Sequence, residues 1–279
     1  MAESYKNIEY EVDGHIARLR LNRPERLNAL SRELMAEVTD ALARAEADDE
    51  VRVLVLSGNG RCFSAGYEIA DDEGWWEEDL TAEEVVADLE TYTNWARGIW
   101  DFPKPTIASV HGYALAGACE VAMLCDITVA SKGTKFGEPE IRFSTGPPAF
   151  IMPWVVPMKA AKELLLTGHL IDAERAQAIG MVNDVVDESE RERRTEYYAK
   201  TIATISPVAV RLQKEALNRV YELTGLNTAF YINAKLTGIL DASPTPENKQ
   251  FDAIRREKGL RAALDWRDEQ FAEAEKLRS

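Results

Sequence analysis

Three stretches of this 279-residue chain combine acids and small residues in ways that could do chemistry. The first runs His111-Gly112-Tyr113-Ala114-Leu115-Ala116-Gly117-Ala118-Cys119-Glu120-Val121-Ala122-Met123 and reads as a strand, a small-residue turn and an apolar helix. Free N–H groups at a helix start favour negative charge, which suits a developing oxyanion. Glu120 sits one turn in among apolar neighbours, where a charged carboxyl is costly unless paired or hydrogen-bonded. Two readings compete for it: a first-turn glutamate satisfied by the helix dipole, or a functional acid. The second stretch is Phe136-Gly137-Glu138-Pro139-Glu140-Ile141. Pro139 keeps Glu138 extended, so Glu140 is expected on a rigid loop, and a surface loop with two acids is the simpler reading of this segment alone. The third is Cys62-Phe63-Ser64-Ala65-Gly66-Tyr67-Glu68-Ile69. Its small residues let a backbone approach a ligand closely, although a plain strand-to-loop turn is the simpler account.

Other chemistries find little support. Gly58 and Gly60 lack the third glycine and the helix start of a dinucleotide fingerprint. His15, His111 and His169 have no Ser or Cys partner at a triad spacing. Cys62, Cys119 and Cys125 make no CxxC or Cys/His metal pattern.

The elements that must position these stretches alternate strand and helix. Ile16–Leu21 alternates apolar and polar residues as a half-buried strand, followed by the turn Asn22-Arg23-Pro24-Glu25. Ser31 caps a helix whose stripe is Leu34, Val38, Leu42 and Ala45. Val51–Leu56 reads as a buried strand closed by Ser57-Gly58-Asn59-Gly60. Asp71 to Asp101 is acidic, with a helix starting at Thr81, and Trp75, Trp76, Trp95 and Trp100 lie in or near it as core or as pocket walls. Thr106–Val110 and Ile127–Ala130 are further strands, flanking a helix from about Gly117. The alternation indicates an α/β core over residues 1–206. Residues 207–279 read as charge-rich helices that dock on the core or on another subunit.

Composition narrows the partners. With 33 Lys+Arg against 48 Asp+Glu the formal charge is −15, which argues against a nucleic-acid binder. No apolar run is long enough to span a membrane, and Met1–Glu11 has no signal-peptide pattern. With no cysteine framework either, the expected home is a reducing cytoplasm.

In order along the chain, the motifs resemble the crotonase (enoyl-CoA hydratase/isomerase) superfamily. The resemblance runs from about Ile8 to Val186 and more weakly beyond. It rests on Leu21-Asn22-Arg23-Pro24 with Leu27-Asn28-Ala29-Leu30, on Phe63-Ser64-Ala65-Gly66, and on His111-Gly112-Tyr113-Ala114 with Gly117 and Cys119-Glu120. Phe136-Gly137 with Pro139-Glu140, and Leu166-Thr167-Gly168 with Ala176 and Gly180, complete it. The resemblance implies a spiral of β-β-α units with C-terminal helices that assemble a homotrimer or homohexamer. It implies an acyl-CoA thioester substrate, coenzyme A entering only as part of it, and no metal or redox cofactor. The backbone N–H groups of Tyr67 and Gly117 would hold the thioester oxygen. Glu120 and Glu140 would be the two acids of a hydratase, Glu120 activating water and Glu140 exchanging the α proton. Substrate contacts would come from Arg26, Leu27, Ala65, Tyr67, Glu68, Ile69, Ala70 and Gly117.

The chain departs from the hydratase pattern in three places. No Lys follows Tyr67-Glu68-Ile69-Ala70 and Asp71-Asp72-Glu73, and Glu25 stands where a Lys is frequent, with Arg26 adjacent. After Glu140 comes Ser144-Thr145-Gly146-Pro147-Pro148-Ala149-Phe150. With Tyr67, these suggest a reshaped, aromatic acyl pocket. Isomerisation or another acyl-CoA enolate reaction, a CoA-independent diketone hydrolase and a non-catalytic scaffold are the rival expectations; two retained acids favour water chemistry.

Overall fold

The computed structural model describes residues 5–69, 81–243 and 245–277. Strands β1 (Ile8–Asp13) and β2 (Ile16–Leu21) form an antiparallel hairpin that turns at Gly14. Helix α1 (Arg32–Ala47) follows, its first turn capped by the Ser31 hydroxyl, which accepts from the Leu34 N–H. Its Leu34, Met35, Val38, Ala41 and Ala45 are buried, while Leu42 is partly buried. Strand β3 (Val53–Gly58) begins and ends two residues later than the apolar run suggests. Pairing explains the shift, because Arg20 opposite Ser57 and Leu21 opposite Gly58 continue the ladder into the expected turn.

Helix α2 (Ala82–Asp101) starts at a capping box between Thr81 and Glu84. Then come β4 (Thr106–Val110), β5 (Tyr113–Leu115), α3 (Gly117–Leu124), β6 (Ile127–Ser131) and β7 (Lys135–Gly137). Helices α4 (Met152–Val155) and α5 (Met158–Thr167), strand β8 (Ile171–Asp172), α6 (Ala173–Ala178), β9 (Asp184–Val186) and α7 (Glu188–Thr204) complete the core. Four helices follow: α8 (Pro207–Leu223), α9 (Leu226–Asp241), α10 (Pro246–Lys258) and α11 (Leu260–Glu275).

The main sheet has the order β1-β2-β3-β4-β6-β9 and is parallel apart from the first hairpin. One face packs on α1 and α3 through fully buried side chains such as Leu19, Leu34, Leu54 and Leu124. Each such burial contributes about 1.5–3 kcal/mol. On the other face, Ala199 and Ala203 of α7 close over Ile16, Val53, Val55 and Ile107. Helix α9 lies along α2, and its Leu226 and Phe230 join the main core. Helix α8 instead leaves Val208, Leu212, Leu217 and Val220 exposed.

A second, three-stranded sheet has the order β5-β7-β8. Strands β5 and β7 are parallel, with Leu115 opposite Gly137. Their C-terminal ends therefore emerge side by side, one leading into Ala116 and α3, the other into Glu138-Pro139-Glu140. A third segment joins at the same end, because Ser64 bridges Ala114 in parallel. The three stretches singled out by their chemistry are thus brought together by strand pairing, at the carboxyl ends where α/β folds place ligands.

Candidate active site

The small residues of the first and third stretches lock two backbone segments together. A Cβ on Gly66 would stand 2.6 Å from both the Ala116 Cβ and the Leu115 carbonyl oxygen, and its φ is +96°. Only glycine meets both demands. Ala116 itself holds φ +53° and ψ −133°, and its N–H donates to the Gly137 carbonyl at 2.8 Å. Backbone held in so sparsely populated a region costs about 1–3 kcal/mol and persists only where its surroundings fix it. The bridge from Leu30 to Tyr67 uses the Gly66 carbonyl and the Glu68 N–H. No backbone carbonyl among the described residues accepts from the Tyr67 N–H or from the Gly117 N–H at the start of α3. Two main-chain donors are thus left without a backbone partner.

The acids converge on the same place. Glu120 is 0% exposed; its Oε1 accepts from the Ala149 N–H at 2.7 Å and its Oε2 from the Tyr67 hydroxyl at 2.9 Å. Glu140 is 3% exposed and rides on a 3-10 helix, Pro139–Phe143, rather than on the expected rigid loop. Ser144, at φ +56°, turns the chain back, and the Thr145 N–H closes onto the Glu140 carbonyl. That turn folds residues 145–149 over the acids, which is why the surface-loop reading fails. Neither carboxyl oxygen of Glu140 has a hydrogen-bond partner among the described residues.

Glu138 is a third buried carboxyl that sequence reasoning did not single out. It is 1% exposed and both of its oxygens lack partners among the described residues. Its signal was the pair of acids flanking Pro139, legible only once the segment is known to be buried.

Burial raises all three carboxyls. Glu140 is pushed up to about 8. Glu120 lies well above the ordinary carboxylate range, through burial first and the nearby Glu140 second, opposed by its two donors. Glu138 is raised by burial, then by Glu120 and Glu140. Burial and the Glu120 charge keep Tyr67 a neutral phenol.

A cavity of about 710 Å³ opens onto this floor. Arg26, Leu27, Ala65, Tyr67, Glu68 and Ile69 line it, and so does Glu140. Gly117 and Glu120 do not. The Tyr67 ring lies against Gly117, where a Cβ would come within 2.3 Å of it, and its hydroxyl donates to Glu120. Glu68 is tied to Arg23 at 3.1 Å. Ala70, Asp71–Glu73, Trp75 and Trp76 lie outside the described residues. Trp95 and Trp100 do not line this cavity: Trp95 donates to the Met35 carbonyl at 3.0 Å, and Trp100 packs edge-on to Tyr221 beside a separate groove. The cavity rim carries Arg61, Arg142, Arg255 and Arg267, none of them foreseen; the last two come from helices α10 and α11, remote in sequence. Among the described residues no group of His, Cys, Asp and Glu is placed to hold a metal ion.

Comparison with known proteins shows the family and the fold. The family model for enoyl-CoA hydratase/isomerase matches residues 11–272. A probable enoyl-CoA hydratase of Mycobacterium bovis is 35% identical over 223 residues, 78% of this chain and 84% of that protein. A crotonyl-CoA hydratase of Syntrophomonas wolfei is 34% identical over 244 residues, 86% of this chain and 92% of its own length. The crystal structure of an enoyl-CoA hydratase/isomerase from Xanthobacter autotrophicus Py2 superposes with a TM-score of 0.91 at 38% identity, covering 96% of this chain and 99% of that one. The fold is the crotonase α/β fold, and the chain belongs to the enoyl-CoA hydratase/isomerase family.

Proposed function

We propose that the protein is a hydro-lyase that adds water to a 2-enoyl-CoA thioester, or removes it from the 3-hydroxyacyl thioester. The observation that carries this reading is the pairing of two buried carboxyls, Glu120 and Glu140, with the spare N–H groups of Tyr67 and Gly117. The thioester oxygen would accept from both N–H groups, so that charge arriving there as an enolate is stabilised. Glu120, with two hydrogen bonds donated to it, is the better carboxylate of the pair; Glu140, with none to its side chain, is the better acid. One negative charge shared by two close carboxyls fits a base for water and an acid for the α carbon. This chemistry calls for no metal or redox group. The arginines at the rim offer the cationic contacts to the CoA phosphates that the missing lysines would have supplied.

One observation favours a second reading. Glu140 lines the cavity and Glu120 does not, the arrangement expected of a single-acid double-bond isomerase. Hydration of crotonyl-CoA, followed as loss of the conjugated-thioester absorbance, separates the two when run beside conversion of a 3-enoyl thioester. Turnover that is lost in both Glu120→Gln and Glu140→Gln supports the hydratase. Isomerisation without hydration overturns it.

The exposed apolar residues of α8, with Tyr231, Leu236 and Ile239 of α9, support assembly as a trimer or hexamer, which sedimentation would measure. Three free, buried cysteines suit the cytoplasm. No described helix is long and apolar enough to cross a membrane.

A further inference from the structure

The hydratase reading leaves a gap, since Glu120 must act on a water that sits in a cavity it does not line. Tyr67 spans that gap. The residue is 6% exposed and lines the cavity; its ring rests on Gly117 and meets Tyr92 edge-on at 5.0 Å, while its hydroxyl donates to Glu120 Oε2 at 2.9 Å. Resting on that reading, we propose that the Tyr67 phenol relays the proton between the cavity water and Glu120.

In the hydration direction the water oxygen forms its bond to the β carbon of the thioester. Its proton passes to the Tyr67 hydroxyl oxygen as the Tyr67 proton passes to Glu120 Oε2. The electron pair of the double bond moves toward the thioester oxygen, held by the Tyr67 and Gly117 N–H groups, and Glu140 then gives its proton to the α carbon. One carboxyl gains a proton and the other loses one, so the charge of the site is unchanged. Returning the proton from Glu120 to Glu140 resets it.

One residue would then serve twice, through its main chain at the oxyanion and through its side chain at the base. Tyr67→Phe separates the two roles, because it keeps the backbone donor and the ring and removes only the hydroxyl. The titratable groups that face Glu120 are Tyr67 from the 64–67 segment, Glu138 and Glu140 from the segment after β7, and the Cys119 thiol on α3, with Tyr92 of α2 behind Tyr67. Loss of the O–H donor removes a bond that favours ionised Glu120, so the acid limb of the rate profile moves to higher pH.

The test measures two reactions on wild type, Tyr67→Phe, Glu120→Gln and Glu140→Gln: hydration of crotonyl-CoA, and exchange of the α proton of butanoyl-CoA in D₂O. Exchange needs Glu140 and the backbone donors but no relay. Tyr67→Phe is expected to lose about 10²–10⁴ in hydration, as far as Glu120→Gln, with exchange within a few-fold of wild type. Hydration near the wild-type rate overturns the relay, and so does loss of exchange in parallel with hydration, which marks a collapsed site. If the wild type performs neither reaction, the hydratase reading itself falls. Titration of ¹³C-labelled glutamate carboxyls by NMR, assigned through Glu120→Gln, then decides whether Tyr67 acts on Glu120 at all. An unchanged Glu120 titration in Tyr67→Phe overturns that coupling.

Discussion

The floor of the cavity and its rim are built on opposite plans. The floor comes from two strand ends and a bridged segment, all fixed by pairing, and carries buried acids beside main-chain donors. The rim comes largely from α10 and α11, and its arginines are held by carboxylates, Arg255 by Asp252 of the same helix at 2.8 Å and Arg142 by Glu275 of α11 at 2.5 Å. Buried, unpartnered groups in a low-dielectric setting are worth far more than the same charges in water. The floor should therefore govern rate and the rim should govern affinity, so damage to the two regions ought to look different in kcat and KM.

The largest break is expected at the acids. Glu140→Gln and Glu120→Gln should each lower kcat for hydration by about 10²–10⁴ with little change in KM, the signature of contacts made in the transition state. A fall in affinity without a fall in kcat would erase the distinction between floor and rim. Next comes Gly66→Ala. Its methyl group meets the Ala116 Cβ and the Leu115 carbonyl at 2.6 Å, so the two donor segments must separate. Losing one oxyanion donor costs about 10²–10³ in rate, and steady-state kinetics beside a thermal melt would show whether rate falls further than stability explains.

The third prediction concerns pH. Glu140 is raised to about 8 by burial, whereas in the unfolded chain it titrates near the ordinary value of 4.5. Between those values the unfolded state releases a proton that the folded state keeps. Stability from this group is therefore fully present below pH 4.5 and lost as pH rises through about 8. Glu140→Gln should gain on wild type across that window by on the order of a few kcal/mol, levelling off above it, as read by denaturant melts. A constant difference would mean that the carboxyl is not buried neutral. The smallest effect belongs to the rim. Arg61 is exposed, and Arg61→Ala should raise KM for CoA thioesters by about two- to fivefold, less at high salt, with kcat unchanged.

The same division decides what could be read from the chain alone. Strand β2, the Ser31 and Thr81 caps and the start of α3 were all legible, because each is set by local pattern or by one capping residue. The end of β3 was not, since Ser57 and Gly58 are turn residues by type and strand residues only through pairing with β2. At the site, Glu120 stood out as an acid in an apolar helix but stayed open between two readings, and only the resemblance named it together with Glu140; the burial of Glu140 had no local signal of its own. That burial depends on Ser144 reversing the chain and on residues 145–149 folding over it. The hydroxyl of Tyr67 meeting Glu120 bridges 53 positions, beyond any local pattern.

The pairing of Leu115 with Gly137 has a consequence for how this chain tolerates insertion. A strand advances about 3.3 Å per residue, so one extra residue within β7 would carry Glu140 by that distance past Glu120 and turn alternate side chains to the opposite face. The same residue added at the preceding turn, where Gly133 has open space around it and a φ of +79°, would be absorbed outside the ladder. Length changes only two positions apart should thus be either silent or fatal, and the spacing of the two acids is held by the sheet register rather than by the loop that carries them.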